Sequence, residues 1–173
     1  ILKYRYGIAL GNRDPRATRP TTMLYRMKYI VTNELYIQLR ENFNMIHFEF
    51  HPILKLEDDQ QIPMARYILQ TPANKKIIFY LVVHRDDEKW LKTLRYQAQF
   101  YKSYISGGED GGILVLLLSS DEKAVLAQKL LLQEGITNLV WFITDKDLYD
   151  TEKDIKTSFF FFKDEGKQYY NLG

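Results

Sequence analysis

The sequence predicts an α/β domain of three layers, with helices on both faces of a mixed sheet. Three observations carry that prediction. Residues 77–83 (IIFYLVV) and 113–118 (ILVLLL) are continuous apolar runs, the pattern of strands buried on both faces and therefore central in a sheet. Between them lies a long amphipathic segment, so the order strand, helix, strand makes the two runs parallel neighbours. Upstream, residues 44–51 alternate and residues 62–69 form a second strand pattern. A short turn separates that second strand from the first central run, which makes the upstream pairing antiparallel. Antiparallel strands followed by a βαβαβ half give a mixed sheet.

Taken in order, residues 1–20 are basic and turn-rich, with Lys3, Arg5, Arg13, Arg16 and Arg19 among Gly7, Gly11, Pro15 and Pro20. They read as an arm or linker from a preceding domain, and residues 21–173 as a single domain. Thr21 and Thr22 suit the cap of a helix running to about Asn42, with Leu24, Met27, Val31, Leu35 and Gln38 on one face. In the strand that follows, Met45, Ile46, Phe48 and Phe50 interleave with His47, Glu49 and His51, and Pro52 ends it. Residues 55–61 and 71–75 are turns.

After the first central strand, Asp86, Asp87 and Glu88 favour a helix start through the macrodipole. At 100° per residue, Trp90, Leu91, Leu94, Ala98, Tyr101 and Ile105 share the inward side. Arg85, Lys89, Lys92, Arg95, Gln99 and Lys102 share the other, with Tyr96 among them. That makes a basic stripe about 25 Å long. Residues 106–112 form a glycine loop. Ser119 and Glu122 form a capping box for a helix to about Gln133, with Ala124, Val125, Leu126, Leu130 and Leu131 inward and Gly135 as its stop. Residues 138–144 are a strand and 145–150 a short helix. Residues 159–162 (FFFF) are a final strand or a covered plug, because an exposed run of this kind invites aggregation.

Composition narrows the class. There is no cysteine among 173 residues, which excludes disulfides and thiolate metal sites and argues for a cytoplasmic setting. No apolar run reaches membrane-spanning length. A net charge of +2 says nothing for or against nucleic acid, so only a local patch carries that signal. The chain begins at Ile1, and a further N-terminal part is expected before it.

Residue patterns for common chemistries are missing. No phosphate-binding glycine loop precedes a helix, and no nucleophile elbow occurs. His47 and His51 lie about 13 Å apart along a strand, too far for one ion. His84 ends the central strand, where a polar cap is the commoner role. The clusters 57–59 and 86–88 read as a turn and a helix start, since adjacent carboxylates do not converge by themselves. The basic stripe is the strongest positive feature: a row of Lys and Arg can follow phosphates with sequence-neutral, salt-sensitive affinity.

Four stretches together resemble a known family. They are residues 29–35 (YIVTNEL), 62–65 (IPMA), 79–85 (FYLVVHR) and 94–104, the helix rich in Lys, Arg and Tyr. The segment order over residues 21–149 is similar to that of the replication-relaxation family of Gram-positive plasmids and integrative elements. Its members carry a winged-helix domain followed by a restriction-endonuclease-like α/β domain, and this chain resembles the second. The family's pattern has a central Asn in the helix, Pro-Asp in one strand and Glu-x-Asp-Arg in the next. Here Met64 stands at the Pro-Asp aspartate, Val82 at the glutamate and His84 at the following aspartate, with Arg85 retained.

The resemblance implies a catalytically inactive nuclease-like module of a mobile element, without a metal or other cofactor. Such a module contacts DNA through Arg85, Lys89, Lys92, Arg95, Gln99 and Lys102, or contacts a partner protein. One alternative is an active nuclease with a migrated site built from Glu49 or Asp86 and Asp87 with His84. Another is an interaction or homodimer module presenting Tyr4, Tyr6, Tyr25, Tyr29, Tyr36 and the Phe159–Phe162 run. No membrane partner is expected.

Overall fold

The computed structural model describes residues 23–108, 111–137, 140–164 and 166–173. The predicted arm and the Thr21–Thr22 cap lie outside the described residues. Among these, the chain is a mixed α/β domain with a seven-stranded mixed sheet and four α-helices. Helix α1 (Met23–Asn42) leads into β1 (Asn44–Phe50). A two-stranded hairpin follows, β2 (Leu54–Lys55) with β3 (Gln60–Gln61), where a plain turn was expected. Then come β4 (Ala65–Gln70), β5 (Lys76–Val83), α2 (Trp90–Gly107), β6 (Ile113–Leu118), α3 (Asp121–Gln133) and β7 (Val140–Thr144). The short α4 (Asp145–Tyr149), one 3-10 turn, β8 (Phe160–Lys163) and β9 (Gly166–Tyr169) close the chain.

The strand order is β1-β4-β5-β6-β7-β8-β9. β4 is antiparallel to β1 and β5, whereas β5, β6 and β7 run parallel. The period-two alternation of β5 sorts the core. Phe79, Leu81 and Val83 join a cluster with Val31, Leu35 and Leu39 of α1 and Leu148 of α4. Tyr80 and Val82 join another with Leu94, Ala98 and Tyr101 of α2 and Ala124, Ala127 and Leu131 of α3. Each face of the strand thus meets different helices, which is why the run is apolar throughout.

Several expectations shift in detail. In α1 the buried face is Val31, Thr32, Leu35 and Leu39, while Leu24 and Met27 are exposed. The register of β1 slips between Met45 and His47, and the bulge leaves Ile46 exposed. The cap of α3 is Ser120, whose side chain accepts from the Lys123 backbone N–H. Ser119 instead donates to Asp86 at 2.8 Å. Ala127 turns inward in α3, and Val125 and Leu126 turn outward. Gly135 does end that helix, in the left-handed region at φ +73°. In the phenylalanine run, Phe160–Phe162 pair with β9, and Phe159 and Phe160 are buried. Phe161 and Phe162 are half-buried, so the run is core at its first two residues and reaches the surface at the last two.

The last hairpin is tied down by one buried carboxylate. Asp147 of α4 accepts from Lys153 at 2.7 Å, Tyr169 at 2.8 Å and Thr144 at 2.9 Å. Lys167 of β9 approaches it at 3.4 Å and also pairs with Asp121 of α3 at 2.9 Å. Burial pushes the Asp147 carboxyl upward, but the hydrogen bonds from Lys153, Tyr169 and Thr144 outweigh it and hold the group below the usual carboxylate range.

Candidate functional site: the cleft at the end of the central strand

The parallel strands β5, β6 and β7 end side by side, the place where open α/β sheets carry ligands. Here that end is crossed by ion pairs. Nη1 of Arg85 donates to both oxygens of Asp145, at 2.8 and 2.6 Å, and its Nε donates to the His84 carbonyl at 2.8 Å. Asp86 accepts from Lys123 and from Ser119, and those bonds hold its carboxyl below the usual range. Lys123 also donates to the Arg85 carbonyl at 3.0 Å. These charges fasten β5 to α3 and α4.

Arg85 therefore leaves the predicted stripe. Its side chain is 4 % exposed because it sits in the strand end, before the helix begins, and points at Asp145. The remaining stripe residues divide in two. Arg95 pairs with Glu134 at 3.2 Å, Gln99 donates to the same carboxylate at 3.0 Å, and Lys102 donates to the Glu134 carbonyl at 3.2 Å. The end of α3 abuts α2 there, a packing the sequence does not announce. Lys89 and Lys92 stay exposed, with Tyr96 beside them at 61 % exposure.

A cleft of about 260 Å³ opens on the other flank of β5. Met64 and Val82 both line it, so the two positions at which the resemblance expects carboxylates converge in space. Around them stand Tyr25 and Lys28 of α1, His51, and Gln97 of α2. The central Asn33 of α1 is exposed and is not among the lining residues.

His84 lies one hydrogen bond behind the cleft. It is 2 % exposed, with Nε2 at 2.8 Å from Gln97 Oε1. With the Gln97 oxygen placed on the ring, this contact is made by the tautomer that carries its proton on Nε2. Burial is the largest influence on this ring and lowers its pKa to about 4; Lys28 and Lys123 add to the effect, while Gln97 and Asp87 oppose it. His84 is neutral at physiological pH. Its backbone N–H donates to Leu117 at 3.1 Å, which extends the β5–β6 pairing by one residue.

His51 has φ +52°, a left-handed conformation that costs a non-glycine residue roughly 1 kcal/mol. Contacts among the described residues help hold it: its N–H donates to the Met64 carbonyl at 3.1 Å, and its Nε2 lies 2.6 Å from the Tyr29 hydroxyl. Such strain concentrates at functional sites.

The migrated carboxylates do not assemble. Glu49 pairs with Arg66 at 2.8 Å and lies 3.5 Å from His47. Asp86 is held by Lys123, and Asp87 accepts from the Lys89 N–H at 2.8 Å. Among the described residues no group of three His, Asp or Glu side chains is placed to hold a metal ion, and no helix is long and apolar enough to cross a membrane. Tyr29 and Tyr36 lie against His51 and Phe48 within the fold; Tyr4 and Tyr6 lie outside the described residues.

Two residues of the cleft escaped the sequence reading. Gln97 follows Trp90 by seven positions and so falls on the inward arc of α2, a polar residue in an apolar stripe that could have marked it. Lys28 gave no such signal. No family model, no curated protein and no solved structure matches this chain.

Proposed function

We propose that this chain is a catalytically inactive, nuclease-like domain of the replication-relaxation type, an accessory or regulatory module in replication or transfer of a mobile element. In this reading the domain has the three-layer, restriction-endonuclease-like arrangement, works in the cytoplasm, and contacts DNA through the outer face of α2. The observation that supports it most is the lining of the cleft beside β5. Met64 and Val82 meet there with Lys28, His51 and Gln97. A metal-dependent nuclease needs carboxylate oxygens to grip a divalent ion and activate water. Hydrocarbon and an ammonium group supply none.

Lys89 and Lys92 carry the DNA contact in this reading, with Tyr96 beside them. Arg95, Gln99 and Lys102 contribute less, because Glu134 already engages them. Anisotropy of a labelled duplex, titrated at several salt concentrations, tests the contact. The expected result is salt-sensitive binding that weakens in the Lys89→Glu, Lys92→Glu double variant, with a salt slope shallower by about two. Absence of salt-sensitive binding, or a double variant that binds like the parent, would remove the DNA contact.

A further inference from the structure

The cleft beside β5 is an anion site in its own chemistry. Lys28 lines it, and among the described residues its ammonium group forms no ion pair. The Gln97 carbonyl oxygen is committed to His84. The Gln97 NH₂ group makes no hydrogen bond among the described residues, and Gln97 lines the cleft. Among the described residues no carboxylate lines the cleft. The acidic group that acts on His84 is Asp87, whose carboxylate caps the turn before α2. A cation without an ion pair among the described residues, beside an amide on the same cleft, favours an oxyanion.

We propose that this cleft binds a phosphate group between the Lys28 ammonium and the Gln97 side-chain amide. Positions where a nuclease would hold a cation thus surround a site of opposite polarity. The site rests on the same cleft as the proposed function but not on the DNA contact of α2, so the two can fail separately. Lys28 is on α1 and Gln97 on α2, so bound phosphate would link the two helices.

Calorimetric titration of the full chain with inorganic phosphate tests the site. One saturable site per chain is expected. Lys28→Met weakens it roughly tenfold or more, as loss of a charge-assisted hydrogen bond does. Gln97→Glu places a carboxylate beside the anion and abolishes binding; thermal melts show that either variant is folded. Lys92→Met leaves phosphate binding unchanged while weakening duplex binding, which separates this site from the α2 contact. Short oligonucleotides with and without a 5′-phosphate then identify the source. Preference for the phosphorylated strand marks a terminal or free phosphate, and equal binding that is lost in Lys28→Met marks the backbone. The proposal is overturned if phosphate does not saturate, or if it binds folded Lys28→Met and Gln97→Glu as it binds the parent.

Discussion

Two polar regions of this domain handle charge in opposite ways. Around Asp147, one carboxylate is closed in by Lys153, Tyr169, Thr144 and Lys167. Beside β5, Lys28 lines an open cleft and forms no ion pair among the described residues. The first arrangement joins α4 to the β8–β9 hairpin and leaves nothing for a ligand to satisfy. The second leaves a charge exposed to whatever enters. Saturated polar networks specify structure, whereas an unmatched group in a concave site is a candidate for binding.

The largest effect should come from breaking the saturated side. Asp147→Ala strands Lys153 and Lys167 at a half-buried site, and the expected cost in urea or thermal unfolding is about 3–5 kcal/mol. A loss below about 1 kcal/mol would mean that the network behaves as a surface cluster. Acid should act on it in one direction. The Asp147 carboxyl is held low in the fold, so its contribution is present above the unfolded value of about 3.9 and is lost as pH falls through the folded value. Asp147→Asn should flatten that part of the stability profile.

On the cleft side, His84 gives an intermediate effect and a different pH window. Its folded pKa of about 4 lies below the unfolded value near 6.5. In that interval the unfolded chain binds a proton that the folded one refuses, so stability rises with pH there. Between pH 6.5 and pH 4 the parent should lose about 3 kcal/mol from this residue, a slope that is missing in His84→Gln. A ring whose NMR titration midpoint stays near 6.5 would break the account of a buried, neutral imidazole.

The smallest stability effect belongs to Lys28. Because it pairs with no carboxylate among the described residues, Lys28→Met should change unfolding free energy by no more than about 0.5 kcal/mol, while altering anion binding. Substantial destabilisation would place Lys28 with Asp147 as a structural group and erase the contrast.

Much of the framework was legible in the residues. The apolar runs of β5 and β6 fixed the centre of the sheet, since strands buried on both faces need no alternation. The α2 wheel located Trp90, Leu94, Ala98, Tyr101 and Ile105 correctly, yet it missed Phe100, buried where Tyr101 and Tyr104 pack against it. Ser120 displaced Ser119 as a cap because Asp86, distant in sequence, claims the Ser119 hydroxyl. Arg85 looked like the first member of a solvent-facing row, and Asp145 at the end of β7 drew it inward. The candidate site was half visible. Met64, Val82 and His84 were singled out one by one, but their meeting with Lys28 and Gln97 depends on how α1 and α2 flank the sheet end. Local patterns carry no record of that.

Incubation of the full chain with supercoiled plasmid and Mn²⁺, read on an agarose gel, addresses the central claim most directly. The account predicts plasmid that is retarded at low salt and remains covalently intact at high protein concentration. Nicked or linear product that appears only with the metal, and that disappears on changing Glu49, Asp86 or Asp87, would contradict it.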